Sequence, residues 1–413
     1  MTINGAIIAQ IRVKPHPNAD KLALGIIGGT QVVVDKSTKD GDIGVFFSSE
    51  LKVSEEYAKA NKLRKIDGGF FPDSLKVRPQ KFRGERSDGY FAPLSSLSFT
   101  GVDISTLDIG DVFTNINKIP ICEKYYTPAT RQAMGQIKQG KAIPSFPKHF
   151  DTEQLALFYS RIPEGSLLWY TLKVHGTSQR TGLVPVTHKV SKWYHKVFPF
   201  LSKKKEIKFE FVSGTRNTVL DRTNTGESGK SFRFKAEDLF KNKLHQGEII
   251  YYEVVGWENS TVPIMARHNF SNSSGLSYWG DNVVYSYGNL PGQCSVYVYR
   301  ITRTTLDCVG NYVHTDLSWP QVKQRCYELG VEHVPEFQTM ISTNFIDDII
   351  TVARKYDDGP DPIDNSHPRE GVVVHVLTPS GKYYALKHKG FTFKVGEGLV
   401  KESDSYVDLE EVS

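Results

Sequence analysis

Lys173-Val174-His175-Gly176-Thr177-Ser178 places an amine ahead of a glycine and two hydroxyls, directly after the apolar run Leu167-Leu168-Trp169-Tyr170. A lysine amine is nucleophilic only without its proton, and its ordinary pKa is about 10.4. Burial near other cations lowers that value and frees the lone pair. Gly176 lets the backbone turn tightly and approach a phosphate. Further candidates follow in order. Arg216 sits in the turn Ser213-Gly214-Thr215-Arg216-Asn217 and offers a fixed fork of donors to ribose or phosphate oxygens. Glu253 interrupts the apolar run Ile250-Tyr251-Tyr252-Glu253-Val254-Val255-Gly256. A carboxylate there needs a partner, such as a sugar hydroxyl or a metal-bound water. Tyr297 and Tyr299 share one face of a strand. Glu370 precedes Gly371 and Val372-Val373-Val374, and its oxygens suit a hard divalent cation. Lys387 and Lys389, two residues apart on a strand, point the same way. Facing one phosphate, they would neutralise it and depress each other's pKa and that of Lys173.

Taken in order, these stretches resemble the collinear motifs of covalent nucleotidyltransferases, the polynucleotide ligases and capping enzymes. His175, where many relatives carry aspartate, makes the set similar to the Deinococcus- and Naegleria-type ATP-dependent RNA ligases. The resemblance implies three in-line displacements at phosphorus, with cations balancing the negative charge. Lys173 attacks the α-phosphate of ATP to form a lysyl-AMP, the AMP passes to a 5′-phosphate, and a 3′-hydroxyl displaces it. Catalytic roles then fall to Lys173, Glu370, Lys387 and Lys389, and nucleotide-binding roles to His175, Gly176, Arg216, Glu253 and Tyr299. Tyr299 matches the aromatic that stacks on adenine, although relatives often follow it with aspartate where this chain has Arg300. The cofactors implied are ATP and a divalent metal, Mg or Mn, held by Glu370 and Glu253, in part through water.

These residues need a scaffold. At 413 residues the chain is expected to hold two domains. Ala6 to Val13, Gln31 to Val34 and Gly44 to Phe47 read as short strands separated by turn formers such as Pro15-His16-Pro17-Asn18. Strands so spaced suggest a small closed barrel. The stretch is similar to the N-terminal OB domain of the same ligases, as is Lys81 to Tyr90. The fold class expected is therefore α+β. Residues 1–117 would form an OB-type β-barrel that binds nucleic acid through Lys14, Lys21, Lys81, Arg83 and Arg86. Residues 118–147, with four prolines, would form a linker. Residues 148–413 would form a nucleotidyltransferase domain, ATP-grasp-like, of antiparallel sheets with flanking helices. Between Thr187 and Lys208, basic residues interleave with aromatics, a pattern that suits a phosphate backbone and stacked bases.

The net charge of +5 fits a nucleic-acid partner without demanding one. Cys122, Cys294, Cys308 and Cys326 form no Cys-x-x-Cys pair, so neither a zinc site nor a disulfide framework is expected. The N-terminus carries no signal-peptide pattern, and no apolar run reaches the ~20 residues of a membrane span. The expectation is a soluble, cytoplasmic monomer whose partner is RNA or an RNA–DNA duplex nicked at a 5′-phosphate. Two alternatives are a capping-type guanylyltransferase and a non-catalytic RNA-binding protein with a ligase fold. Only 24 residues follow Lys389, too few for the C-terminal OB domain that capping enzymes carry. All the motif positions are filled, which favours chemistry over binding alone.

Overall fold

Two antiparallel sheets built from the C-terminal part of the chain face each other across a common core. The computed structural model describes residues 5–69, 71–126, 143–149, 152–190, 204–222, 231–271, 276–345 and 347–397. One sheet runs in the order Glu153–Gln154, Tyr383–Lys389, Gly371–Leu377, Leu167–Leu172, Glu336–Ile341. Its central strand is dense in β-branched residues, which pack well on a pleated surface covered on both faces. Only the short Glu153–Gln154 strand pairs in parallel. The second sheet runs Lys204–Thr215, Thr177–Val190, Glu248–Gly256, Cys294–Leu306, Tyr312–Asp316, and Glu332–His333 pairs in parallel with Cys294–Leu306. Trp169 and Leu172 from the first sheet meet Tyr252, Val254 and Val298 from the second in one buried cluster. Helix Trp319–Leu329, opened by a capping box of Ser318 and Gln321, adds Trp319, Val322 and Cys326 to that cluster.

The N-terminal part is a set of short sheets, and among the described residues their ladders do not close into a barrel. Ala6–Gln10 lies between Val112–Phe113 and Ile43–Ser48, with Gly89–Pro93 beyond. The chain breaks at the buried Ile11, and Arg12–Pro15, Leu22–Ile27 and Thr30–Asp35 form a separate three-stranded meander. The two sheets meet through bonds from Val33 N to Ser87 Oγ (3.0 Å) and Asp88 N to Gln31 O (2.8 Å). That junction is local, so strand spacing alone overstated closure. Residues 118–126, at the start of the expected linker, pair with this part, and residues 127–142 lie outside the described residues. Ile119–Pro120 pairs with Asn115–Ile116, Cys122–Lys124 pairs with Leu51–Val53, and Ile121 is buried.

The N-terminal sheets also share a core with the first catalytic sheet. Ile7, Ala9, Ile11 and Val32 pack in one cluster with Leu155, Leu168, Ile350, Val372 and Leu386. Gly28, at φ 55°, lies so close to helix Leu155–Phe158 that an added Cβ would sit 1.8 Å from Ala156 O. No side chain fits there.

The basic stretch between Thr187 and Lys208 is the far end of a hairpin. Its ladder continues from Gln179↔Thr215 to Val190↔Lys204. Residues 191–203, with the expected Lys192, Trp193, Tyr194, His195, Lys196 and Lys203, lie outside the described residues. Among the described residues all four cysteines are free, and no helix is long and apolar enough to cross a membrane.

Candidate active site at the crossover between the sheets

The chain passes from one sheet to the other through Lys173-Val174-His175-Gly176, between strands Leu167–Leu172 and Thr177–Val190. Backbone bonds fix this crossover: Lys173 N donates to Gly371 O at 2.9 Å, and His175 N donates to Tyr287 Oη at 2.6 Å. Gly176 is needed for a close approach, but to the protein itself. A Cβ there would lie 2.8 Å from Val254 O and 3.0 Å from the Glu253 Cβ. The glycine thus presses the lysine loop against the strand that carries Glu253.

Glu370 is the electrostatic centre. Its Oε1 lies 2.7 Å from Lys173 Nζ and 3.4 Å from Lys389 Nζ, and its Oε2 lies 3.5 Å from His175 Nδ1. Against the cost of burial, Lys173, Lys389 and His175 hold this carboxylate well below the usual range. Lys389 also meets Glu397 at 2.8 Å. Burial opposes its charge, yet Glu370 and Glu397 raise its pKa above the ordinary lysine value. The expected mutual depression of the two lysines therefore fails at Lys389, because two carboxylates neutralise it. It holds at Lys387, where burial, with Lys173, Lys124 and Lys389 nearby, pushes the ammonium down to about 8.

Glu253 stands opposite in a different state. Burial pushes its carboxyl up to about 8, with Lys173 pulling down and Glu370 pushing further up. Its Oε2 is buried and finds no hydrogen-bond partner among the described residues. Such an orphaned oxygen facing a second carboxylate fits a divalent cation, whose charge would offset both. Among the described residues no three His, Cys, Asp or Glu side chains form a ready metal site, so any ion here would take remaining ligands from water or substrate.

A cavity of about 850 Å³ opens beside these groups, lined by Lys173, Glu253, Tyr299, Lys387, His149 and Arg300 among others. Tyr299 reaches it through a bulge: Tyr252 pairs with Val298 and Tyr251 with Arg300, leaving Tyr299 as the extra residue. The bulge breaks the alternation after Tyr299 and brings Arg300 to the same wall. Tyr299 and Arg300 both line the cavity, whereas Tyr297 pairs with Glu253 and packs 6.2 Å from the Tyr287 ring. The Tyr299 hydroxyl bonds Ser178 Oγ at 2.9 Å. Arg216 is exposed on its turn, and its charge reaches Glu253 and His149.

Several contributors had no signal in the sequence. His149 lies edge-on to Tyr299 at 5.6 Å, and burial with Arg300, Arg216 and Arg180 nearby lowers its pKa to about 3. Arg233 bonds Thr177 Oγ1 at 2.6 Å. Behind His175 stand Tyr285, His268 and Phe393. Glu50, from the N-terminal part, places negative charge near Lys387, Lys389 and Lys394.

Among the N-terminal cations, Lys14, Lys21, Lys81 and Arg83 are exposed. Arg83 and Gly84 form a two-residue hairpin loop between Gln80–Phe82 and Glu85–Ser87, with Arg83 at φ 48°. The turn that follows Lys14 is tied to this hairpin, since His16 Nε2 meets Phe82 O at 3.0 Å and Asn18 donates to Arg83 O at 3.1 Å. Arg86, expected to grip nucleic acid, pairs with Asp88 and lies 3.8 Å from the centre of the Phe391 ring, at the start of the helix after Lys389.

A family model described as RNA ligase matches residues 167–410, which span every motif position above and both sheets except the edge strand Glu153–Gln154. The chain belongs to the RNA ligase family. No curated protein matches it in sequence. Solved structures of Naegleria gruberi RNA ligase share the fold. A lysine-to-methionine variant with AMP and Mn is 19% identical, covers 94% of this chain and 97% of its own, and gives a TM-score of 0.59. The same ligase with PPi is 18% identical over 95% and 98%, also at 0.59. A lysine-to-alanine variant with ATP and Mn is 17% identical over 97% and 99%, at 0.58.

Proposed function

We propose that this RNA ligase is ATP-dependent and works through a lysyl-AMP on Lys173. The observation that carries the reading is Lys173 Nζ, 2.7 Å from Glu370 on the wall of a cavity that also holds Glu253, Tyr299 and Lys387. In the first step Lys173 Nζ bonds to the α-phosphorus of ATP, the bond to the pyrophosphate oxygen breaks, and the lysine gives up its proton. Glu370 orients the amine. Lys387 and Lys389 carry positive charge toward the phosphate oxygens, where charge builds in the transition state. Tyr299 offers a face to the adenine and Glu253 an acceptor to the ribose. His175, bound to Glu370, steadies that carboxylate. The 5′-phosphate of the nucleic acid then takes the AMP, with Arg216 gripping that end, and a 3′-hydroxyl displaces it.

Glu253 and Glu370 are the residues that would hold a divalent metal, Mg or Mn, and the orphaned Glu253 oxygen supports that assignment. The ion, when bound, supplies positive charge to the phosphates. Naegleria gruberi RNA ligase, solved with ATP and Mn, supports ATP and a divalent metal as the cofactors.

The finer reading is that residues 1–117 act as an OB-like nucleic-acid-binding domain, with Lys14, Lys21, Lys81 and Arg83 toward the substrate and residues 118–147 leading to the catalytic part. The substrate proposed is a nick in a duplex whose 3′-hydroxyl strand ends in RNA, sealed by a monomer. An A-form helix displays its 2′-hydroxyls in a wide, shallow minor groove, open to an adjoining domain. The hairpin around Thr187 to Lys208 would add salt-sensitive affinity. The test is label from α-labelled ATP, expected to stay on the denatured protein and to vanish in Lys173→Ala. The labelled enzyme should seal an RNA-ended nick and leave an all-DNA nick open. Persistent labelling of Lys173→Ala would reassign the nucleophile, and equal sealing of DNA would discard the RNA preference.

A further inference from the structure

The cavity holds a charged pair that the three displacements leave without a task. Arg300 donates from Nε and Nη2 to Asp316, the Nη2–Oδ2 bond measuring 3.0 Å. The guanidinium lies 4.9 Å from the centre of the Tyr251 ring. Both residues line the same cavity as Lys173, Glu253 and Tyr299. Their side chains are only 16% and 24% exposed.

Its place in the ladder is informative. Arg300 faces Tyr251, two residues from Glu253 and so about 7 Å along the strand. Asp316 closes the neighbouring strand Tyr312–Asp316, opposite Thr302. On the proposed reading, with the α-phosphate at Lys173, the ribose toward Glu253 and the base over Tyr299, the far edge of the base would point toward this pair, which lines the same cavity.

We infer that Asp316, held in place by Arg300, accepts a hydrogen bond from the exocyclic amine of the bound purine and so selects a 6-amino over a 6-oxo base. The inference rests on the ligase reading above and deepens it. A carboxylate has about four acceptor positions, of which the Arg300 contacts take two. A 6-amino group donates to a remaining one. A 6-oxo group turns a lone pair toward the same carboxylate, which builds repulsion against the wrong base as well as attraction for the right one. Arg300 is a positioning residue: its two donors set the orientation of the Asp316 carboxylate. The bulge at Tyr299 makes the arrangement possible, since it brings the stacking ring and the arginine to one wall.

The test compares label transfer to the full chain from α-labelled ATP, purine riboside triphosphate, ITP and GTP. Wild type should prefer ATP over each of the others by at least about tenfold, because a site built to bond a polar group rejects analogues that lack it. In Asp316→Asn, whose amide can donate to a 6-oxo group, the ATP:ITP ratio should narrow by about tenfold. Purine riboside triphosphate should remain poor. Arg300→Lys, which leaves Asp316 in place, should narrow the ratio less. The inference is overturned if wild type takes ITP or purine riboside triphosphate as readily as ATP. It is also overturned if the variants lower ATP and ITP use alike, the mark of a pair that only braces two strands. Should either variant fail to fold, the wild-type series decides alone. Absence of label from ATP in wild type would remove the ligase reading and this inference together; label without base preference would remove only the inference.

Discussion

Glu370 and Glu253 both lie near Lys173, and their surroundings drive them in opposite directions. Glu370 lies beside Lys173, Lys389 and His175, and stays ionised despite its burial. Glu253 feels the same lysine but gains no hydrogen bond at Oε2, so burial dominates and its carboxyl rises to about 8. The difference teaches that depth alone does not set the state of an acid; cations in direct contact, rather than merely nearby, do. It also separates two tasks. An ionised, fully engaged carboxylate suits holding the lysine, and an unsatisfied one suits accepting a ligand.

The contrast breaks most sharply at Glu370. Glu370→Ala leaves Lys173 and Lys389 without their shared carboxylate, and adenylylation should fall by roughly a hundredfold, the scale seen when a key electrostatic group is removed. Single-turnover labelling measures it; a loss under threefold would mean that the lysine needs no such partner. Glu253→Gln should act on stability as well. The folded protein keeps a proton on Glu253 up to about pH 8, whereas the unfolded chain releases it near 4.5. Stability of the metal-free protein should therefore decline as pH rises through that window, by on the order of a few kcal/mol. Thermal melting in chelator from pH 5 to 8 should show the decline in wild type and a flatter profile in Glu253→Gln. Identical profiles would mean that Glu253 is already ionised in the folded protein. The smallest effect belongs to the N-terminal contact. Arg86→Ala loses the stack on Phe391, and sealing should fall several-fold while label transfer from ATP holds, the scale of a cation–π contact of about 1 kcal/mol. Equal loss in both assays would assign Arg86 to the fold rather than to substrate handling.

Much of this site was legible in the sequence because its residues sit on strands, where spacing fixes direction. Lys173, Glu253, Glu370 and Lys387 each stand at a strand or its edge, and their order along the chain carried the family resemblance. What escaped depends on irregular backbone or on distant segments meeting. The bulge at Tyr299 breaks the two-residue alternation and brings Arg300 to the cavity wall, which strand spacing alone does not foretell. The Arg300–Asp316 contact needs a neighbouring strand in the right register. Glu50 reaches the lysines only because the two parts of the chain are packed together. The N-terminal strands were readable one by one, yet whether their ladders close depends on the break at Ile11, which composition does not reveal.

Ile7, Ala9 and Ile11 bury their side chains against Ile350, Val372 and Leu386, so residues from near the two ends of the chain complete a single core. During synthesis at about 5–20 residues per second, the early strands would wait roughly twenty seconds to over a minute for those partners. Newly made N-terminal segments therefore spend that time with apolar faces uncovered. The lysine loop, anchored to Gly371, gains its own support only in the same late interval.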